Sequence, residues 1–185
     1  MKKTVVTVVI LIITTFTVMS QDFRNANWGM SKSQVKSTEK STLVKETTDL
    51  LVYQTTLAGY KVYVGYIFSD NKLTRSKYIV AEPHANNNDY ISEYNFFNGL
   101  LKNKYGAPVE DKIDWKTDLY SNDKSAWGLS IMMGDLVLYS RYRTSDTEIK
   151  IILASEDYQI INEIEYSSTN PKLKNLEKEK LLKGF

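Results

Sequence analysis

From residue 60 to residue 68 the chain alternates: Tyr60, Val62, Val64, Tyr66 and Phe68 fall on one side of an extended backbone, and Lys61, Tyr63, Gly65 and Ile67 on the other. Period two is the mark of a half-buried strand, because successive side chains of extended backbone point to opposite faces. A helix of period 3.6 would scatter these residues around its circumference, so this stretch commits the chain to a sheet with one covered face. Ser69-Asp70-Asn71-Lys72 supplies turn chemistry, after which residues 73–81 resume the strand pattern. Residues 49–57, ahead of Ala58-Gly59, read as the preceding strand, and 43–47 as a shorter one. An antiparallel meander of three or four strands follows for the region between Ser41 and Glu82.

The same pattern returns near the end of the chain. Residues 136–143, 147–155 and 158–167 form a second meander, joined at Thr144-Ser145-Asp146 and Glu156-Asp157. Residues 112–120, bearing Trp115, read as a further strand. Two meanders need cover, and the helical segments can supply it. Tyr90, Tyr94, Phe97, Leu101 and Tyr105 form one stripe of a helix over about 89–104, with Asn88 or Asp89 as its N-cap, Gly106 as its stop and Pro108 beyond. Residues 123–134, DKSAWGLSIMMG, satisfy both periods: Trp127 and Ile131 stand at i, i+4, while Trp127, Leu129, Ile131 and Met133 also alternate toward a Gly134-Asp135 turn. A short helix is the expectation taken there.

Near the N-terminus, Ser31 as N-cap makes a capping box with Gln34, and places Met30 and Val35 at the two positions of a hydrophobic staple. Gly29 permits a backbone turn that a Cβ would hinder, and Trp28 before it is expected to plug the core rather than to face a ligand. Thirteen Tyr against six Phe tilt the composition further toward strands. The expected fold class is therefore α+β: two helix-plus-antiparallel-meander halves, 23–82 and 88–168, packed as one compact domain over 21–168. Residues 169–185 carry five Lys and two Glu with few apolar marks and read as a charged tail with a weakly docked helix.

Residues 1–20 read as a signal peptide: Lys2 and Lys3 precede a Val/Ile/Leu/Thr-rich run, and Val18-Met19-Ser20 offers a small-residue cleavage site before Gln21. Cleavage there leaves 22 basic against 22 acidic residues. A neutral mature chain gives no electrostatic case for nucleic acid or for anionic membrane, and no stable membrane anchor is expected after cleavage. The expected location is periplasmic or extracellular. Absence of Cys removes disulfides, thiol catalysis and a lipid-bearing cysteine.

The segment FRNANWGMSKSQV, residues 23–35, together with the helix exit KYGAP at 104–108, resembles small exported bacterial proteins of uncharacterised function that open with a Trp-Gly-Met-Ser motif. In layout the chain is similar to β-lactamase-inhibitor-protein-like and SmpA/OmlA (BamE-like) modules, which are known for binding other proteins. The resemblance implies a helix-plus-antiparallel-sheet fold and a protein partner, and makes Trp28, Gly29, Met30, Ser31, Gln34 and Val35 a structural signature. It differs from those modules in having no Cys.

Familiar catalytic sets are not legible. The single histidine, His84, lies in an Asn-rich loop, no Gly-x-Ser-x-Gly elbow occurs, and the eight Gly are scattered without a phosphate-binding loop. Neither zinc nor calcium spacing is present, so no cofactor or metal is expected. Glu163 and Glu165 share a strand face that reads as a solvated outer surface. The most suggestive surface is Tyr139, Arg141 and Arg143, at i, i+2 and i+4 of one strand, since Tyr and Arg recur in binding hot spots. The alternative is that these arginines pair across strands with Glu148 or the Glu163 row. The functional expectation is a non-catalytic interaction module with a protein partner, and second to it a small-ligand or glycan-binding protein.

Overall fold

A computed structural model describes residues 21–183. The expected signal segment, residues 1–20, lies outside the described residues. Eight strands form one antiparallel sheet: β1 (Thr42–Glu46), β2 (Leu50–Leu57), β3 (Tyr60–Ser69), β4 (Lys72–Val80), β5 (Glu110–Trp115), β6 (Leu136–Arg143), β7 (Thr147–Glu156) and β8 (Gln159–Ser168), in the order β1-β2-β3-β4-β8-β7-β6-β5. The helices are α1 (Lys32–Thr38), α2 (Asn87–Tyr105), α3 (Trp127–Met132) and α4 (Pro171–Leu182). The α+β class follows directly. Both meanders share a single sheet, joined where β4 pairs with β8 from Arg75↔Ser167 to Ile79↔Glu163.

The alternation sorts the two faces. Val62, Val64, Tyr66 and Phe68 of β3, Ile149, Ile151 and Leu153 of β7, and Leu136, Leu138 and Tyr142 of β6 are all buried on the inner face. α2 and α3 lie over β6, β7 and β8. The N-terminal segment closes the opposite half, where Phe23 packs against Tyr66, Tyr78 and Tyr166 with ring centroids 4.9–5.5 Å apart. The capping box of Ser31 and Gln34 forms as expected and starts α1, which buries Val35. Gly29 turns the chain at φ +83, and its N–H donates to the Leu73 carbonyl at 2.8 Å, while Leu73 N–H returns a bond to Met30 at the same distance. This exchange locks the Trp-Gly-Met segment to the start of β4.

Two boundaries differ from expectation. The cap of α2 is Asn86, whose side chain accepts from Asn88 N–H, rather than Asn88 or Asp89. An Asn two residues earlier lengthens the helix by about half a turn because it too can bond two residues ahead. The strand expected over 112–120 ends at Trp115; beyond it Ser121 N–H bonds the Asp118 carbonyl and Asp123 N–H that of Tyr120, so local turns replace the ladder. The short helix expected within residues 123–134 forms: Asp123 caps a 3₁₀ turn, Lys124–Ala126, that runs into α3, and Gly134 follows its end at φ +77. The tail helix α4, expected to be weakly held, crosses the outer face of β3 and β4, where Glu177 pairs with Arg75 at 2.8 Å and Lys180 with Asp49. No described helix is long and apolar enough to cross a membrane.

Candidate functional site

Tyr139, Arg141 and Arg143 do share the outer face of β6, but their surroundings separate them. Arg141 stands opposite Glu110 on one side and Lys150 on the other. Its Nε donates to Glu110 at 3.1 Å and its Nη1 lies 3.7 Å from Glu148, which also meets Lys150 at 3.5 Å; Lys112 closes the row on Glu110. Lys112 first, then Arg141, hold the Glu110 carboxyl below its ordinary range. The cross-strand alternative is therefore what Arg141 does. Individually such exposed pairs contribute little, and together they form one ion-paired row along this band of the sheet face. Glu163 and Glu165 behave likewise, bonded to Lys77 at 2.7 Å and Arg75 at 3.3 Å.

Beside this charged band runs an apolar one. Register places Tyr63, Ile79, Ile152 and Tyr139 in a line across the sheet, interrupted on β8 by Glu163, with Ile161 and Ala154 facing each other in the next line. Most of these side chains are only half-buried, although they stand in the middle of a sheet. Among the described residues the one helix on this side is α4, which lies over β3 and β4. The face from β8 to β5 is open.

Arg143, at the end of β6, belongs to a different feature. It lines a cleft of about 680 Å³ with Asp22, Trp28, Asp146 and Asn170. Trp28 is set there by three elements: its backbone N–H donates to Asp22 Oδ2 at 2.8 Å, its indole N–H to Thr147 Oγ1 at 2.9 Å, and Gly29 pins the following peptide to β4. The far wall is the β6–β7 turn, tied to the exit of β8 by Thr169, whose N–H donates to the Asp146 carbonyl at 2.9 Å and whose hydroxyl donates to the Ser145 backbone carbonyl at 2.8 Å. Burial raises the Asp22 pKa, the Trp28 N–H opposes that, and the charge of Asp146 adds to the rise. Among the described residues Arg143 makes no ion pair or hydrogen bond with protein groups, so its five donors face the cleft or solvent. An aromatic wall, a free guanidinium, carboxylates and hydroxyls together suit a polar, hydrogen-bonding ligand. Thus the plug residue Trp28 and the surface residue Arg143 line one cavity.

Two buried polar clusters escape a reading of the sequence by spacing. Glu93, 2% exposed, accepts from Asn162 Nδ2 at 2.7 Å and lies 2.9 Å from His84 Nε2. A signal was present: Glu93 falls on the apolar stripe of α2, four residues before Phe97, where an unpaired carboxylate would be costly. Asn162 Oδ1 is left without a partner. Ser140 donates to Asp111 at 2.7 Å and shares a 2.9 Å bond with the Tyr94 hydroxyl, joining α2, β5 and β6. Ser140 is fully buried, so its hydroxyl, although it meets a carboxylate, is not presented at the surface. No three His, Asp or Glu side chains converge as a metal site among the described residues. No family model, no curated protein and no solved structure matches the chain.

Proposed function

We propose that this chain is an exported, non-catalytic protein-interaction module that presents the open outer face of its sheet to a protein partner, in the periplasm or outside the cell. The observation that carries this reading is the pair of parallel bands on that face: half-buried Ile79, Ile152, Ile161 and Tyr139 beside the ordered Lys77–Glu163 and Arg141–Glu110 pairs, with no described helix over β5 to β7. An apolar core flanked by ordered polar groups is the anatomy of a recognition surface. The strand order supports reading the domain as two helix-plus-meander halves, 23–82 and 88–168, that meet at β4 and β8. It also agrees with the resemblance to exported modules that bind proteins through a helix-plus-sheet layout. The test is affinity capture from the native envelope with wild type against Tyr139→Ala/Ile152→Ser, both half-buried outer-face positions, with circular dichroism to check that the variant is folded. One protein retained by wild type and lost from the variant is the expected result; identical capture by both, or none, overturns the reading.

A second reading, a small-ligand or glycan-binding protein, is favoured by the Trp28–Arg143 cleft alone. Stabilisation by cell-wall sugar fragments in a thermal-shift screen, abolished by Arg143→Ala, would support it. A flat response across the screen would remove it.

A further inference from the structure

We propose that the free edge of β5 is the contact between two copies of this chain, which join antiparallel about a twofold axis through Ile113 into one sixteen-stranded sheet. Both ends of the sheet are edges, and they are built differently. β1 carries a bulge between Leu43 and Lys45, a device that disrupts further pairing. β5 pairs with β6 over Glu110–Trp115 without a register shift. Its outward row of backbone groups is therefore regular. Lys116 N–H donates to the Asp135 carbonyl at 2.8 Å, so with Trp115↔Leu136 in register the even-numbered residues bond β6. The N–H and C=O groups of Asp111, Ile113 and Trp115 point to the free side.

Side chains at this edge are exposed where they should not be. Ile113 points to the inner, helix-covered face, opposite Leu138, yet it is 58% exposed, because α2 lies over β6 to β8 and stops short of β5. Val109 at 57% and Leu119 at 75% flank it, with Tyr120 also exposed. A symmetric partner strand would lay Ile113 against its own copy and bring residues 117–120 of one chain beside 106–109 of the other.

Charge selects the register. Centring the twofold on Lys112 sets lysine against lysine and Glu110 against Asp114; centring it on Asp111 or Asp114 opposes two carboxylates. The Ile113 centre gives opposite charges on the outer face, Lys112 meeting Asp114 of the second copy, twice, and Glu110 meeting Lys116, twice; a Trp115 centre also opposes Asp114 to Lys116 but carries half of its pairing past the end of the strand, and an Asp111 centre sets that carboxylate against its own copy. On the inner face Asp111 comes opposite Trp115, whose indole N–H has no partner among the described residues. Hydrogen-bonded pairing of 113 with 113 and 111 with 115 matches the parity of the free backbone groups. The interface is isologous and closed, so it makes a dimer and not a fibre.

The test is sedimentation velocity of the purified protein across a hundredfold concentration range. Wild type is expected to dimerise. Lys112→Asp sets two pairs of carboxylates against one another and should raise the dimer dissociation constant at least about tenfold, whereas Lys112→Asp/Asp114→Lys restores attraction and should recover it. Ile113→Glu, at an exposed position, should yield a folded monomer by circular dichroism. Mixing Lys112→Asp with Asp114→Lys protein should give the heterodimer although each alone is weakened. A chain that stays monomeric at every concentration overturns the proposal, as does a dimer indifferent to Lys112→Asp and Ile113→Glu.

Discussion

Glu39, the residue that ends α1, carries more of the fold than its place in the sequence suggests. Its side chain is 1% exposed and accepts from the Tyr66 hydroxyl at 2.5 Å, from Arg24 Nε at 2.9 Å and from the Ser41 N–H at 2.9 Å. Burial by itself would raise its pKa; the Tyr66, Ser41 and Arg24 donors outweigh that and bring it from 4.5 to about 2. A depressed carboxyl stabilises the fold fully above its unfolded value, and the contribution falls away as pH drops from about 4.5 toward 2. Between pH 7 and pH 3 wild type should therefore lose roughly 1–2 kcal/mol through this group alone. Glu39→Gln should cost about 2 kcal/mol at pH 7, because it leaves Arg24 without its counter-charge, and its stability should depend less on pH over that window; urea denaturation at the two pH values reads both effects. An equal acid response in variant and wild type would remove the hub. Nothing in the sequence marks this position, since Arg24, Glu39 and Tyr66 meet only once the sheet exists. Glu93, in contrast, was detectable as a carboxylate on an apolar stripe.

At the scale of elements, periodicity and capping were legible because they are local. The strand pattern over 60–68, the Ser31–Gln34 box and the Gly106 stop all appear in the structure where spacing puts them. Ser31→Ala should cost about 1 kcal/mol in thermal or urea unfolding, the usual worth of such a cap. The short α3 was ambiguous by period, and tertiary contact decided it. Gly128 N–H donates to Asn88 Oδ1 at 2.7 Å, and a Cβ on Gly128 would stand 2.4 Å from the Asn87 carbonyl carbon and 2.5 Å from Asn88 N. The α2–α3 junction thus requires glycine for space, not for a special φ. Gly128→Ala should destabilise by about 1–3 kcal/mol, the range for overpacking a tight contact, measured as a lower urea midpoint with an unchanged slope. A neutral substitution would mean that the two helices can separate freely.

For the whole molecule, the sequence yields two meanders, but not their union into a single sheet through β4 and β8, because pairing between distant strands leaves no short-range mark. Nor could spacing reveal that Trp28 bonds Thr147, 119 residues away, and so helps to wall a cleft with Arg143. What the sheet does reveal is an asymmetry: helices and the N-terminal segment cover one face, while the other bears α4 only over β3 and β4 and leaves an apolar band beside an ion-paired band. The carboxylates on this face already have cationic partners within the chain, so binding there need not leave them unpaired, a cost that otherwise weakens polar interfaces. Raising salt should weaken the association only modestly, because the apolar band, and not net charge, supplies its core.

In-cell photocrosslinking with a benzophenone side chain at position 139 tests that surface most directly, with position 96 on the exposed side of α2 as the control. Trapping of one dominant protein from 139, absent from 96 and lost when Ile152→Ser is added, is the predicted result. The same scatter of abundant proteins from both positions would contradict the account and leave the outer face as ordinary solvated sheet.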